Sequence, residues 1–119
     1  MASVLNLLFL VVLLLAITSQ GSGQPCVQVS QRTTGARQGL DMEFEVEIKN
    51  TCACAQRGVR INAPGFASQK LVDPKIFRRD GASFLVNGGN PIAGGRALKF
   101  MYWWDHATHF YLAGSLPAC

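Results

Sequence analysis

No charged side chain occurs before Arg32 in this 119-residue chain. The sequence also lacks G-x-S-x-G, H-E-x-x-H and P-loop patterns, the usual local signatures of serine hydrolysis, zinc proteolysis and phosphate cradling. Two histidines and no C-x-x-C pair argue against a zinc site. Basic residues are scattered, and Arg78-Arg79 is the only adjacent pair, so no nucleic-acid partner is indicated. The N-x-[ST] sequon is absent. Asn50-Thr51-Cys52 offers only the rare N-x-C form, and little or no N-glycan is expected. Nothing here implies an enzyme, a cofactor or a metal.

What is present begins with an apolar run from Val4 to Ile17, broken only by Asn6. It is too short to span a bilayer comfortably, which takes about 20 apolar residues. Small and polar residues follow, Thr18-Ser19-Gln20-Gly21-Ser22-Gly23, completing the layout of a secretory signal peptide. Residues 1–23 are therefore read as a cleaved signal and 24–119 as one secreted, extracellular domain, with no stable membrane insertion.

All four cysteines, Cys26, Cys52, Cys54 and Cys119, lie in the exported part and read as a disulfide framework. A bridge between Cys52 and Cys54 would be strained. Two connectivities remain: Cys26–Cys52 with Cys54–Cys119, or Cys26–Cys54 with Cys52–Cys119. If 52–54 is extended, both thiols point to one face and either pairing is served. The net charge of +4 suits acidic wall polymers, an acidic receptor surface or phospholipid headgroups.

Met42, Phe44, Val46 and Ile48 alternate with Glu43, Glu45, Glu47 and Lys49, the pattern of a half-buried strand. Val27–Ser30, Val59–Asn62 and Leu98–Trp104 alternate likewise, and Phe84–Val86 and Phe110–Ala113 are shorter apolar runs. Turn signals at Gly35, Gly39, Pro64-Gly65, Asn87 to Pro91 and Gly94-Gly95 separate them. The expected fold is all-β: a single small disulfide-stabilised antiparallel β-sandwich of six or seven short strands. In Asp73-Pro74-Lys75-Ile76-Phe77, Asp can cap and Pro can open a single helical turn projecting from the sheets.

Among candidate functional residues, Asp105-His106 and His109 read best as a solvated loop, since no third ligand has motif spacing. Alternation puts Glu43, Glu45 and Glu47 on one solvent face, where Arg or Lys neighbours offset their repulsion. Trp103 and Trp104 are adjacent, so in a strand one must face away from the core. An outward Trp would serve as a sugar-stacking platform or an interface anchor.

Four segments then appear in order: Asn50-Thr51-Cys52, Leu71-Val72-Asp73-Pro74-Lys75-Ile76-Phe77-Arg78-Arg79, Leu85-Val86-Asn87-Gly88 and Phe100-Met101-Tyr102. With Cys26 and Cys119 they resemble the plant tapetum determinant family of small secreted cysteine-rich proteins. The resemblance covers essentially all of 24–119. It implies an apoplastic ligand for the ectodomain of a leucine-rich-repeat receptor kinase, specifying tapetal cell fate and limiting sporogenous cell number. Asp73, Lys75, Arg78, Arg79, Trp103 and Trp104 are the receptor-contact candidates. The alternative is a cell-wall carbohydrate-binding sandwich using Trp103 or Trp104. The family pattern carries two further cysteines where this chain has Pro64 and Phe84, as loss of one mutual bridge would leave.

Overall fold

The structure, a computed structural model, describes residues 26–119; the expected signal peptide lies outside the described residues. Seven strands follow in order: β1 (Val27–Gln38), β2 (Asp41–Asn50), β3 (Ala55–Asn62), β4 (Phe77–Asp80), β5 (Ser83–Val86), β6 (Ala97–Trp104) and β7 (Tyr111–Ala118). They form two antiparallel sheets, β1-β2-β6 and β4-β5-β3-β7. The all-β sandwich expected from alternation is the observed architecture. The one helical element among the described residues is a 3-10 turn at Asn87–Gly89.

Period-two alternation builds the core directly. Phe44, Val46, Ile48, Phe100 and Tyr102 line the inner face of the first sheet, and Val59, Ile61, Phe77, Phe84 and Val86 that of the second. Phe66, from the β3–β4 connection, inserts between them. Its ring lies 5.3 Å from those of Phe77, Phe84 and Tyr102, edge-on to each. Such aromatic pairs contribute about 0.5–1.5 kcal/mol each beyond their area burial. The wedge therefore holds the connection to both sheets.

On the outer face of the first sheet, the cross-strand pairs are Arg32 with Glu45 and Lys99 with Glu47. Arg32 and Lys99 reach Glu45 at 3.2 and 3.9 Å, and Lys99 reaches Glu47 at 3.7 Å. Thr34 donates to Glu43 at 2.7 Å. The glutamate row is thus a compensated solvent face, as the alternation suggested.

Cys26 bonds Cys52 and Cys54 bonds Cys119, which settles the connectivity. The Cys52–Cys54 segment is a bend rather than an extended run, so the two cysteines part toward β1 and toward the end of β7. Asn50 organises this crossing between sheets. Fully buried, it donates to the carbonyls of Cys54 and Ile92, both at 2.9 Å, and accepts from the Cys52 amide at 2.9 Å. Its amide nitrogen is committed to these two carbonyls.

Away from the disulfides, Tyr102 does similar work. Its buried phenol donates to Gln31 at 2.5 Å and accepts from the Thr108 amide at 3.0 Å, while Gln31 donates to the Thr108 carbonyl at 2.6 Å. This closed ring of bonds ties β1 to β6 and to the β6–β7 loop. Burial pushes the Tyr102 pKa up, and the bonds from Thr108 oppose the shift.

Three local readings change. β1 runs to Gln38 rather than stopping at Ser30, because a bulge between Thr33 and Arg37 re-registers it on β2, with Gly35 at φ 90°. β7 continues to Ala118 and carries Pro117, tolerated because β7 is an edge strand. Asp73 to Ile76 form the expected single hydrogen-bonded turn, but Phe77 lies beyond it and already belongs to β4. That strand accounts for the seventh element.

Candidate functional site: a basic groove along residues 66–79

The 66–76 connection is held at three places. Phe66 anchors it in the core. Trp103, on the free edge of β6, donates its amide to Ser68 Oγ at 3.0 Å and accepts from the Gln69 amide at 2.8 Å. Farther along, Asp73 closes the turn: its carboxylate accepts from the Lys75 amide at 2.9 Å, and its carbonyl accepts from Ile76 and Phe77 at 3.0 and 3.1 Å. The Asp-Pro pair forms this turn because Asx acceptors and a fixed proline φ both favour it. Asp73 is therefore a positioning residue whose carboxylate oxygen faces its own backbone.

Fixed in this way, the connection leaves two open cavities on either side of the turn. One, of about 430 Å³, is lined by Pro74, Lys75, Arg78, Asn87, Gly88 and Asn90. The other, of about 390 Å³, has Phe66, Leu71 and Phe77 among its apolar walls and Lys70, Arg78 and Arg79 at its rim. Arg78 borders both. Leu71 is 94% exposed, an unusual position for a large apolar side chain held in an ordered connection. Among the described residues, Lys70, Lys75, Arg78 and Arg79 form no ion pair. An apolar centre ringed by uncompensated cations is chemically suited to an acidic protein surface that presents a hydrophobic side chain.

The candidates from sequence divide accordingly. Arg78 and Arg79 line the cavity that holds Leu71, and Lys75 lines the neighbouring cavity that shares Arg78 with it. Trp103 joins the groove indirectly, because Lys70 Nζ sits 3.9 Å from its ring centroid and covers one face. Trp104 does not join: it is partly buried and packs against the core. Of the two tryptophans named for the alternative sugar platform, Trp104 is turned to the core and Trp103 is partly exposed with one ring face under Lys70. His106 bonds Asp105 at 2.5 Å and His109 lies parallel to Tyr111, so the two histidines have separate partners. Sequence reasoning missed Lys70 and Leu71. The available signal was Leu71 itself, an apolar residue outside any alternating run.

Fold and site together define a small disulfide-bonded β-sandwich with a preformed, cation-rimmed surface groove. The chain belongs to the tapetum determinant 1 family, whose C-terminal region matches residues 24–119. Over 85 residues it is 35% identical to TPD1 protein homolog 1A of Oryza sativa subsp. japonica, covering 64% of this chain and 37% of that protein. It is 39% identical over 62 residues to TPD1 protein homolog 1 of Arabidopsis thaliana, covering 50% of this chain and 35% of that protein. The chain thus spans little more than a third of the length of these curated relatives. No solved structure matches it.

Proposed function

We propose that this protein is a secreted signalling ligand of plant anther development, acting by binding rather than by turnover. Its partner is the ectodomain of a leucine-rich-repeat receptor kinase, and its output is tapetal cell fate with a limit on sporogenous cell number. Family membership supports the developmental role. The observation that carries the binding mode is the groove, where Lys70, Arg78 and Arg79 share a cavity with the exposed Leu71, Lys75 lines the neighbouring one, and none of the four has an ionic partner among the described residues. Solenoid receptors offer extended concave surfaces on which such a projecting edge can dock. Disulfides at both ends of the β2–β3 bend suit an extracellular setting.

Titration of the oxidised protein against the receptor ectodomain tests this reading. Arg78→Glu should weaken binding by about tenfold or more, as loss of a desolvated charge contact does. Leu71→Ala should weaken it without changing its salt dependence. Unchanged affinity in both variants would remove the groove from the interface; absence of binding by the wild-type protein would overturn the receptor assignment.

A further inference from the structure

A third cavity, of about 340 Å³, opens where the second sheet ends and is lined by Asn62, Pro64, Arg79, Ala82, Phe84 and Tyr111. We propose that this cleft, which shares Arg79 with the receptor groove, binds a uronic-acid polysaccharide.

Three kinds of group meet there. Tyr111 is 56% exposed at the start of β7, opposite Asn62 on β3. The His109 ring, two residues before it and outside the cleft, is stacked with the Tyr111 ring at 6.4 Å and 19° from parallel, which restrains the Tyr111 side chain. Aromatic faces of this kind take the apolar C–H face of a pyranose, burying area that water wets poorly. Arg79 supplies the charge. Its guanidinium lies 4.7 Å over the Phe84 ring, which restrains the plane of its fork. Among the described residues no carboxylate pairs with it. A planar guanidinium of this kind matches a carboxylate in bidentate fashion. Asn62, exposed at the end of β3, adds an amide that can both donate to and accept from sugar hydroxyls.

A uronate uses all three groups at once: ring face on Tyr111, carboxylate on Arg79, hydroxyls on Asn62. A neutral sugar leaves Arg79 without a partner, and an aliphatic acidic peptide has no flat apolar face for Tyr111. Because the cleft is open, a polymer can pass through it instead of ending in it. Such binding would retain the protein in an acidic matrix after export.

Titration of the full oxidised protein with a galacturonic-acid oligosaccharide, its methyl-esterified form and a neutral gluco-oligosaccharide tests the proposal. The acid form should bind at least about tenfold more tightly than the other two. Tyr111→Ala and Arg79→Lys, the latter keeping the charge but losing the fork, should each cost about tenfold, and Tyr111→Phe should cost less than Tyr111→Ala. Arg78→Glu, placed in the receptor groove, serves as the separating control and should leave stacking-dependent binding in place. Absence of binding, wild-type affinity in Tyr111→Ala, or an equal loss in the distant Arg57→Gln would overturn the site; the last would show charge attraction without a site.

Discussion

A Cβ placed on Gly94 would lie 2.4 Å from the carbonyl oxygen of Ala53 and 2.6 Å from that of Cys52. The obstacle is backbone, in a bend held by two disulfides and by Asn50, so it cannot rotate aside. Gly94→Ala should destabilise the protein by about 1–3 kcal/mol, as overpacking does. Gly114, where an added Cβ meets nothing within 4 Å, provides the comparison, and Gly114→Ala should be tolerated. Denaturant titration of both variants reads the difference.

Tyr102 confers a stability term that depends on alkaline pH. Burial raises its pKa in the folded state above the ordinary 10.0, because the tyrosinate would be desolvated. The folded chain therefore holds the proton more tightly than the unfolded chain. The contribution is fully present below pH 10.0 and is lost as pH rises through the folded value. Tyr102→Phe should cost about 1–3 kcal/mol at neutral pH by leaving Gln31 and Thr108 short of a partner. The gap to wild type should narrow in strong alkali; thermal melts across that range check it.

Loop length ranks the disulfides. Sequence separations of 26 and 65 correspond, on chain entropy, to ~3.5 kcal/mol for Cys26–Cys52 and ~4.3 kcal/mol for Cys54–Cys119. Paired replacement of Cys54 and Cys119 by Ala should therefore lower the denaturation midpoint more than paired replacement of Cys26 and Cys52.

Pro64 and Phe84 line one cavity, and Phe84 pairs with Ile61, three residues before Pro64. Both positions thus lie at the same end of the second sheet. The double variant Pro64→Cys, Phe84→Cys should form a third disulfide, detected by mass and thiol titration. Two persistent free thiols would sink the idea. Phe84→Cys alone removes a ring stacked on Phe77 at 4.6 Å and should cost about 3–5 kcal/mol.

Much of the sandwich was legible because a strand with one buried face prints its period into the sequence. Met42 to Lys49 is the plainest case, and Leu98 to Trp104 followed the same rule. The cysteine pairing was not legible, since Cys52 and Cys54 are one residue apart and either satisfies chain length. The bend at 52–54, fixed by the tertiary bonds of Asn50, decides it. β4 escaped because Asp-Pro-Lys-Ile-Phe reads as one helical turn, and although Ile76 and Phe77 do bond the Asp73 carbonyl, Phe77 then pairs with Val86 and starts a strand. The groove was half legible. Lys75, Arg78 and Arg79 stand close in sequence, but Lys70 and Leu71 reach them only once Ser68 and Gln69 bond the edge of β6.

Both tryptophans of the sequence sit side by side on that same strand, one beneath Lys70 at the groove and one against the core. The chain consequently carries its own two-channel fluorophore. Emission from Trp103 follows events at the 66–76 connection, while emission from Trp104 follows the integrity of the sandwich. Replacing either indole by Phe isolates the other channel, so docking and unfolding can be watched separately on unlabelled protein.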